Sequence, residues 1–247
     1  MLNPFAIAGK RILVTGASSG IGRATAIACS QMGAEMYVTG RNPESLSITA
    51  DLMNGNKSQT IVADLLLNEH IEALMNEIPV LDGVVFNAGI NRRMLTKYVK
   101  EQALDEILAT NLKAPIMLAK SLLKYQKLSN GASLVFVSSI AAYHSAIGDG
   151  VYSASKGGLS SFVKVLALEL APKRVRVNTI QPGMVRTNLI EKGPLSDADY
   201  AKDEARYPLG RYGLPQEVAH AAIYLLSDAS SWVTGTDLVI DGGISLI

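Results

Sequence analysis

The chain has 247 residues, 48% hydrophobic and 18% charged, with a formal net charge of +1. That is enough for one large α/β domain of ordinary globular composition, and the balanced charge argues against a general attraction to nucleic acid or to an acidic membrane surface. A lone cysteine, Cys29, rules out an internal disulfide; MLNPFAIAGKR lacks a signal peptide's layout, and no run approaches the ~20 apolar residues that span a bilayer, so the expected compartment is the cytoplasm.

From the N-terminus, the first apolar run is RILVTG (11–16), which leads into TGASSGIG, Thr15 to Gly22, and a helix expected from about Ile21 to Met32. The glycines stand at 16, 20 and 22. Glycine permits a tight turn and lets backbone N–H groups approach a pyrophosphate, while a helix N-terminus adds donors and a favourable dipole. A plain glycine-rich turn would read the same by itself. Its position at the first strand–helix junction favours a nucleotide, because open α/β sheets bind ligands at the carboxyl ends of their strands. The second run, MYVTG (36–40), ends where NAD sites usually carry an acidic residue for the ribose 2′-hydroxyl. Gly40 stands there and Arg41 follows. With no carboxylate to repel a 2′-phosphate and a guanidinium to pair with it, NADP(H) is expected over NAD(H). The plain alternative is a solvated surface arginine.

TIVADL (60–65) puts Asp64 at a third strand end, where adenine would lie. GVVFNAG (83–89) ends in Asn87-Ala88-Gly89, small residues that suit a cofactor or a tight turn. In EILATNLKAPIMLAKSLL, helical spacing turns Asn111 inward with Ile107 and Leu118. Pro115 takes away the amide partner of the Asn111 carbonyl, so the helix should bend there. The freed carbonyl either shares a water with Lys156, giving a proton path outward, or marks a packing kink. SLVFVSS (133–139) ends in Ser138 and Ser139, which alternation sends to opposite sides. Ser139 is the one expected to donate to a substrate oxygen.

VYSASKGGLSSF (151–162) opens a helix whose residues Tyr152, Lys156, Leu159, Val163, Leu166 and Leu170 form one inward stripe. A lysine on a buried stripe is costly unless it is paired or used. Beside a phenol its charge favours phenolate, so Tyr152 is expected to have a lowered pKa and to exchange a proton near neutral pH. The bland alternative is a buried tyrosine with a snorkelling lysine. VRVNTIQPG (175–183) and DLVIDGG (237–243) complete the runs. Continuous Val- and Ile-rich runs alternating with helices imply a parallel sheet covered on both faces. The expected fold is α/β, a single-domain doubly wound Rossmann-type fold over 1–247 with about seven parallel strands. Residues 184–214, with mixed charge, prolines and glycines, are expected to form a mobile segment over the site. His70, His144 and His220 are scattered without metal-ligand spacing, so no metal site is expected, and no GxSxG elbow is present.

Together TGASSGIG, the NAG at 87–89, Asn111, Ser139, YSASK at 152–156 and the QPG at 181–183 resemble the short-chain dehydrogenase/reductase family from about Gly9 to the end. The resemblance implies a nicotinamide-dependent oxidoreductase. Tyr152 would be the general acid, and Lys156 would lower its pKa and bind the nicotinamide ribose. Ser139 would position the substrate carbonyl together with Tyr152, and Asn111 would hold a relay water through its main chain. Gly16, Ser18, Gly20, Ile21 and Gly22 would cradle the pyrophosphate, and Arg41 would mark NADP(H) preference. Asp64 and Leu65 would border adenine and Asn87 its ribose, with Ala88 and Gly89 also against the cofactor. Pro182, Gly183, Val185 and Thr187 would hold the carboxamide. Residues 207–243 are most similar to the 3-oxoacyl-(acyl carrier protein) reductases, which implies reduction of a carbonyl to a secondary alcohol on small-molecule substrates, with 3-oxoacyl thioesters on a carrier protein among the candidates. Lys173 matches one of their two carrier-facing basic residues, and Asn130 stands at the other, with Lys124 and Lys127 nearby. A dehydrogenase of a sugar, polyol or other small secondary alcohol is the alternative, and a cofactor-sensing scaffold the non-enzymatic one. The resemblance also implies a homotetramer, with Gly157 and Gly158 admitting a neighbouring helix or backbone.

Overall fold

The structure, a computed structural model, describes residues 3–53, 58–187 and 197–247. The described residues form a seven-stranded parallel sheet: β1 (Arg11–Thr15), β2 (Glu35–Gly40), β3 (Ser58–Val62), β4 (Leu81–Phe86), β5 (Leu128–Val137), β6 (Arg176–Pro182) and β7 (Asp237–Ile240). The order β3-β2-β1-β4-β5-β6-β7 places the topological switch between β1 and β4.

The helices are α1 (Gly20–Gln31), α2 (Pro43–Leu52), α3 (Asn68–Glu77), α4 (Glu101–Leu108), α5 (Ala114–Lys124), α6 (Gly150–Leu170), α7 (Asp197–Glu204) and α8 (Pro215–Leu226). Strand alternation sorts the core into two layers. Along β5, Leu134 and Phe136 join a cluster with residues of α3, α5 and α6, whereas Val135 and Val137 join one with α1, α2 and α8. Phe86 and Phe136 stack at 4.0 Å between centroids, with Phe162 edge-on to Phe136 at 6.2 Å. No helix among the described residues is long and apolar enough to cross a membrane.

Local chemistry sets where helices begin. Asn42 accepts from Ser45 N–H at 2.7 Å and Pro43 occupies the first helical turn, so α2 starts there. The bend expected at Pro115 takes another form. A π-helical turn, Ala109–Lys113, joins α4 to α5, with Ala114 N–H reaching back to Ala109 O. The wider turn precedes the proline and carries Asn111 within it.

Within the chain, a Cβ would lie 3.6 Å from Ala142 O at Gly157 and 3.2 Å from Leu112 Cδ2 at Gly158. Packing of α6 against its own chain is therefore tight at Gly158, whereas Gly157 would meet Ala142 O only at ordinary contact distance. Of the 184–214 segment, residues 188–196 lie outside the described residues. Around them, Val185 pairs with Gly213, and the Glu204 carboxylate of α7 accepts from Arg186 at 2.7 Å and from Tyr212 N–H at 3.2 Å.

Candidate active site

The glycine loop leaves β1 at Gly16, whose φ of +64° only glycine adopts readily and where a Cβ would lie 2.8 Å from Ala88 Cα. A Cβ at Gly22 would run into Gly16 O and Asn87 Nδ2. Asn87 Nδ2 in turn donates to the carbonyls of Thr15 and Gly16, each at 3.2 Å. Thr15, which sequence reasoning passed over, accepts through its hydroxyl from the N–H groups of Asn87 (3.0 Å) and Ala88 (3.2 Å). The exits of β1 and β4 are thus stitched together at the switch point. Gly20, at φ +53°, faces Thr187 Cγ2, so the loop meets the segment that follows β6.

Ser19 precedes α1 in extended conformation without a side-chain cap, and the first turn carries no acidic residue. The leading N–H groups, Ile21 and Gly22 included, therefore suit an anion. Ser18 is held by its carbonyl, which accepts from Arg23, a second residue not foreseen; the same guanidinium also donates to Ser45 O at 3.2 Å and Thr49 Oγ1 at 3.0 Å. Gly40 leaves room for Ser18 Oγ. Arg41 follows on the surface, exposed, one residue past this contact. Ala63 N–H donates to Gly40 O at 3.0 Å, tying the exits of β2 and β3. Asp64 is engaged in its own turn: its carboxylate accepts from Leu66 N–H at 3.0 Å and its N–H donates to His70 Nδ1 at 3.0 Å. Leu65 shares a small cavity with Thr15, Ala88 and Asn111.

On the other half of the sheet, Lys156 is buried and Tyr152 half-buried, and Leu159, Val163, Leu166 and Leu170 continue the stripe into the core. Lys156 Nζ donates to Val137 O at 2.8 Å and lies 5.8 Å from the Tyr152 ring centroid. Asn111, also buried, accepts from Ile90 N–H at 2.8 Å and donates to Ile90 O at 2.8 Å and Ser155 Oγ at 3.1 Å. Its side chain therefore joins the π turn to the NAG loop and to α6. Gly89 lies between them: a Cβ there would be 3.3 Å from Asn111 Oδ1 and 3.4 Å from Lys156 Nζ.

Ser139 accepts from Ala141 N–H at 3.1 Å, and its hydroxyl lies near enough to Tyr152 to draw the phenol down. Ser138 points elsewhere, as alternation requires: its hydroxyl donates to Lys156 O at 3.1 Å. Pro182 ends β6, Gly183 N–H donates to Ile240 O at 3.0 Å, and a Cβ at Gly183 would lie 3.0 Å from Asp241 Cα.

The electrostatics correct one expectation. Burial pushes the Tyr152 phenol up; Ser139 pulls it down and the charge of Asp149 raises it further. Burial also draws Lys156 down, to about 8. The ammonium is turned to Val137 O rather than to the phenol oxygen, so proximity in sequence does not depress the tyrosine in the free protein. Asp149, buried at the start of α6, is bound by Arg93 at 3.2 and 3.3 Å and by Asn91 at 3.4 Å. The sequence pattern offered no signal for that cluster.

A family model described as enoyl-(acyl carrier protein) reductase matches residues 16–245. The 3-oxoacyl-(acyl-carrier-protein) reductase of Thermotoga maritima is 36% identical over 242 residues, covering 96% of this chain and 98% of that protein. The chain belongs to the short-chain dehydrogenase/reductase family. As a short-chain dehydrogenase/reductase it is an oxidoreductase. The 3-oxoacyl-(acyl-carrier-protein) reductase of Rickettsia felis is 32% identical over 241 residues, covering 98% of this chain and 99% of that one. An Agrobacterium tumefaciens structure, named as a candidate 2-deoxy-D-gluconate 3-dehydrogenase and solved with NADP bound, superposes with a TM-score of 0.88 at 32% identity over 100% of both chains.

Proposed function

We propose that this short-chain dehydrogenase/reductase is an NADPH-dependent carbonyl reductase, with 3-oxoacyl thioesters as the leading substrate class. The observation that carries the reading is that Tyr152 and Ser139 come together at the exit of β5, with Lys156 anchored one turn along the helix that carries Tyr152. The uncapped first turn of α1 and the glycine loop facing Thr187 fit a dinucleotide phosphate. Gly16, Ser18, Gly20, Ile21 and Gly22 would hold the pyrophosphate and Arg41 the 2′-phosphate. Asp64, Leu65, Asn87, Ala88 and Gly89 would border the adenosine side, and Pro182, Gly183, Val185 and Thr187 the nicotinamide side.

The bound nicotinamide supplies the hydride. Tyr152 releases its proton to the carbonyl oxygen as negative charge develops there, and Ser139 donates a hydrogen bond to the same oxygen. A phenol kept protonated by burial is the form a reduction needs. Lys156 offsets the phenolate that remains. Asn111 fixes Ile90 and Ser155, and so holds the floor on which Lys156 lies.

Two curated relatives named as 3-oxoacyl-(acyl-carrier-protein) reductases favour the thioester class. The Agrobacterium neighbour favours a sugar-like alcohol as the second reading. Optical assay of NADPH oxidation over a panel of ketones, 3-oxoacyl thioesters, enoyl thioesters and keto-sugars decides between them. Turnover of 3-oxoacyl thioesters well above the rest is the expected result. Preference for a keto-sugar would move the assignment to the second reading, and preference for an enoyl thioester would refute carbonyl reduction.

The cytoplasm is the proposed compartment and a homotetramer the proposed assembly. Val165 and Leu168 on α6, Trp232, and Val239 on β7 are exposed apolar side chains available to other copies. Sedimentation giving only monomer at micromolar concentration would refute the tetramer. Carrier-protein docking would rest on exposed Lys173 and Lys124, because Lys127 Nζ is engaged with Ile78 O at 2.7 Å.

A further inference from the structure

We infer that Gln181, Ser160 and Ser138 form a directed hydrogen-bond chain from β6 to the main chain of Lys156, and that they act as positioning residues for the proton transfer. The inference rests on the catalytic reading of Lys156 given above. All three side chains are buried, with 1%, 5% and 3% of their surface exposed. Gln181 Nε2 lies 3.2 Å from Ser160 Oγ, Ser160 Oγ lies 3.1 Å from Ser138 Oγ, and Ser138 Oγ lies 3.1 Å from Lys156 O.

The direction follows from counting hydrogens. A hydroxyl has one proton to give. Lys156 O is a carbonyl and can only accept, so Ser138 spends its proton there. Ser160 must then donate to Ser138, and Gln181 must donate to Ser160. The chain therefore runs one way and ends on the catalytic helix.

Three consecutive residues at the end of β5 thereby hold the reactive turn. Val137 O takes the Lys156 ammonium, Ser138 holds the Lys156 carbonyl, and Ser139 meets Tyr152. A helical carbonyl ordinarily receives only the N–H four residues on. The lateral bond from Ser138 is additional, and it resists rotation of α6 about its own axis. Rotation would swing Nζ away from Val137 O. Because Gln181 precedes Pro182, the same chain ties the proposed nicotinamide edge to the position of Lys156.

The test uses Ser138→Ala, Ser160→Ala, Gln181→Glu and the rescue variant Ser138→Thr. At neutral pH the carboxylate introduced by Gln181→Glu only accepts, so it takes the Ser160 proton and breaks the Ser160–Ser138 link, leaving Ser138 to choose between Ser160 Oγ and Lys156 O while the side chain keeps its shape. Expected for Ser138→Ala and Gln181→Glu is a fall in kcat of about tenfold, with KM for NADPH within about twofold, and recovery of most of kcat in Ser138→Thr. In the free protein, amino-proton exchange of Lys156, read by nitrogen-15 NMR and assigned by its absence in Lys156→Met, should quicken about tenfold in the same two variants. Should Ser138→Ala fail to fold, Ser160→Ala carries the test with the same signs. Wild-type kcat and wild-type exchange in the folded variants overturn the inference. Retained activity in Lys156→Met would instead overturn the reading on which it rests.

Discussion

Lys156 and Val137 are joined by a 2.8 Å hydrogen bond from the buried ammonium to a main-chain carbonyl, and this bond turns the charge away from the Tyr152 oxygen. Burial lowers the lysine from its ordinary 10.5 to about 8. The unfolded chain then binds more protons than the folded one between those values, so stability rises with pH across that window, and below about 8 the full cost of the buried charge is present. Lys156→Met should stabilise the free protein at neutral pH by roughly 2 kcal/mol, about 3 from removing the charge less about 1 for the lost donor at Val137 O. The gain should shrink as pH is raised toward 10.5. Denaturant melts over pH read this directly, and a destabilised variant at neutral pH would refute it. The same variant should lose turnover.

Reduction needs the phenol protonated and the ammonium charged. Burial keeps Tyr152 protonated through neutrality, and Lys156 loses its proton near 8. Reductive kcat/KM is therefore expected to stay level through neutral pH and to fall as pH rises past about 8. Tyr152→Phe should abolish turnover at every pH while leaving NADPH binding, followed by cofactor fluorescence, within about twofold.

Arg41 is exposed at the end of β2 beside the Ser18–Gly40 contact. Arg41→Ala should weaken NADPH about 10- to 100-fold, the size of a charge-assisted phosphate bond, and leave NADH nearly unchanged. Equal losses for both nucleotides would remove the arginine from 2′-phosphate recognition.

Gly22 has no room for a side chain between Gly16 O and Asn87 Nδ2. Gly22→Ala should destabilise the protein by about 1–3 kcal/mol through overpacking and weaken both nucleotides together, because the Asn87 stitch must shift. Calorimetry alongside a nucleotide titration separates this from the selective loss at Arg41.

Much of the architecture was legible because strands buried on both faces read as unbroken apolar runs. All seven appeared near their places, with the beginning of β5 missed because Ser129, Asn130 and Gly131 look like a turn. The inward stripe of α6 was also legible from periodicity. What escaped were features that periodicity does not encode. A five-residue π turn around Asn111 departs from the helical repeat, and only Pro115 hinted at it. Spacing placed Lys156 one turn from Tyr152 without saying which oxygen the flexible ammonium would choose. Arg93 and Asp149 meet from segments 56 residues apart, and nothing in the sequence pattern paired Gln181 with Ser160.

The touch between Gly20 and Thr187 bears on how the protein is made. One wall of the proposed nucleotide groove is translated almost at once, while the facing wall waits until about three-quarters of the 247 residues have been joined. A growing polypeptide can shape its first strands and helices well before both walls of that groove exist, so a coenzyme bound there would be gripped only late in biosynthesis.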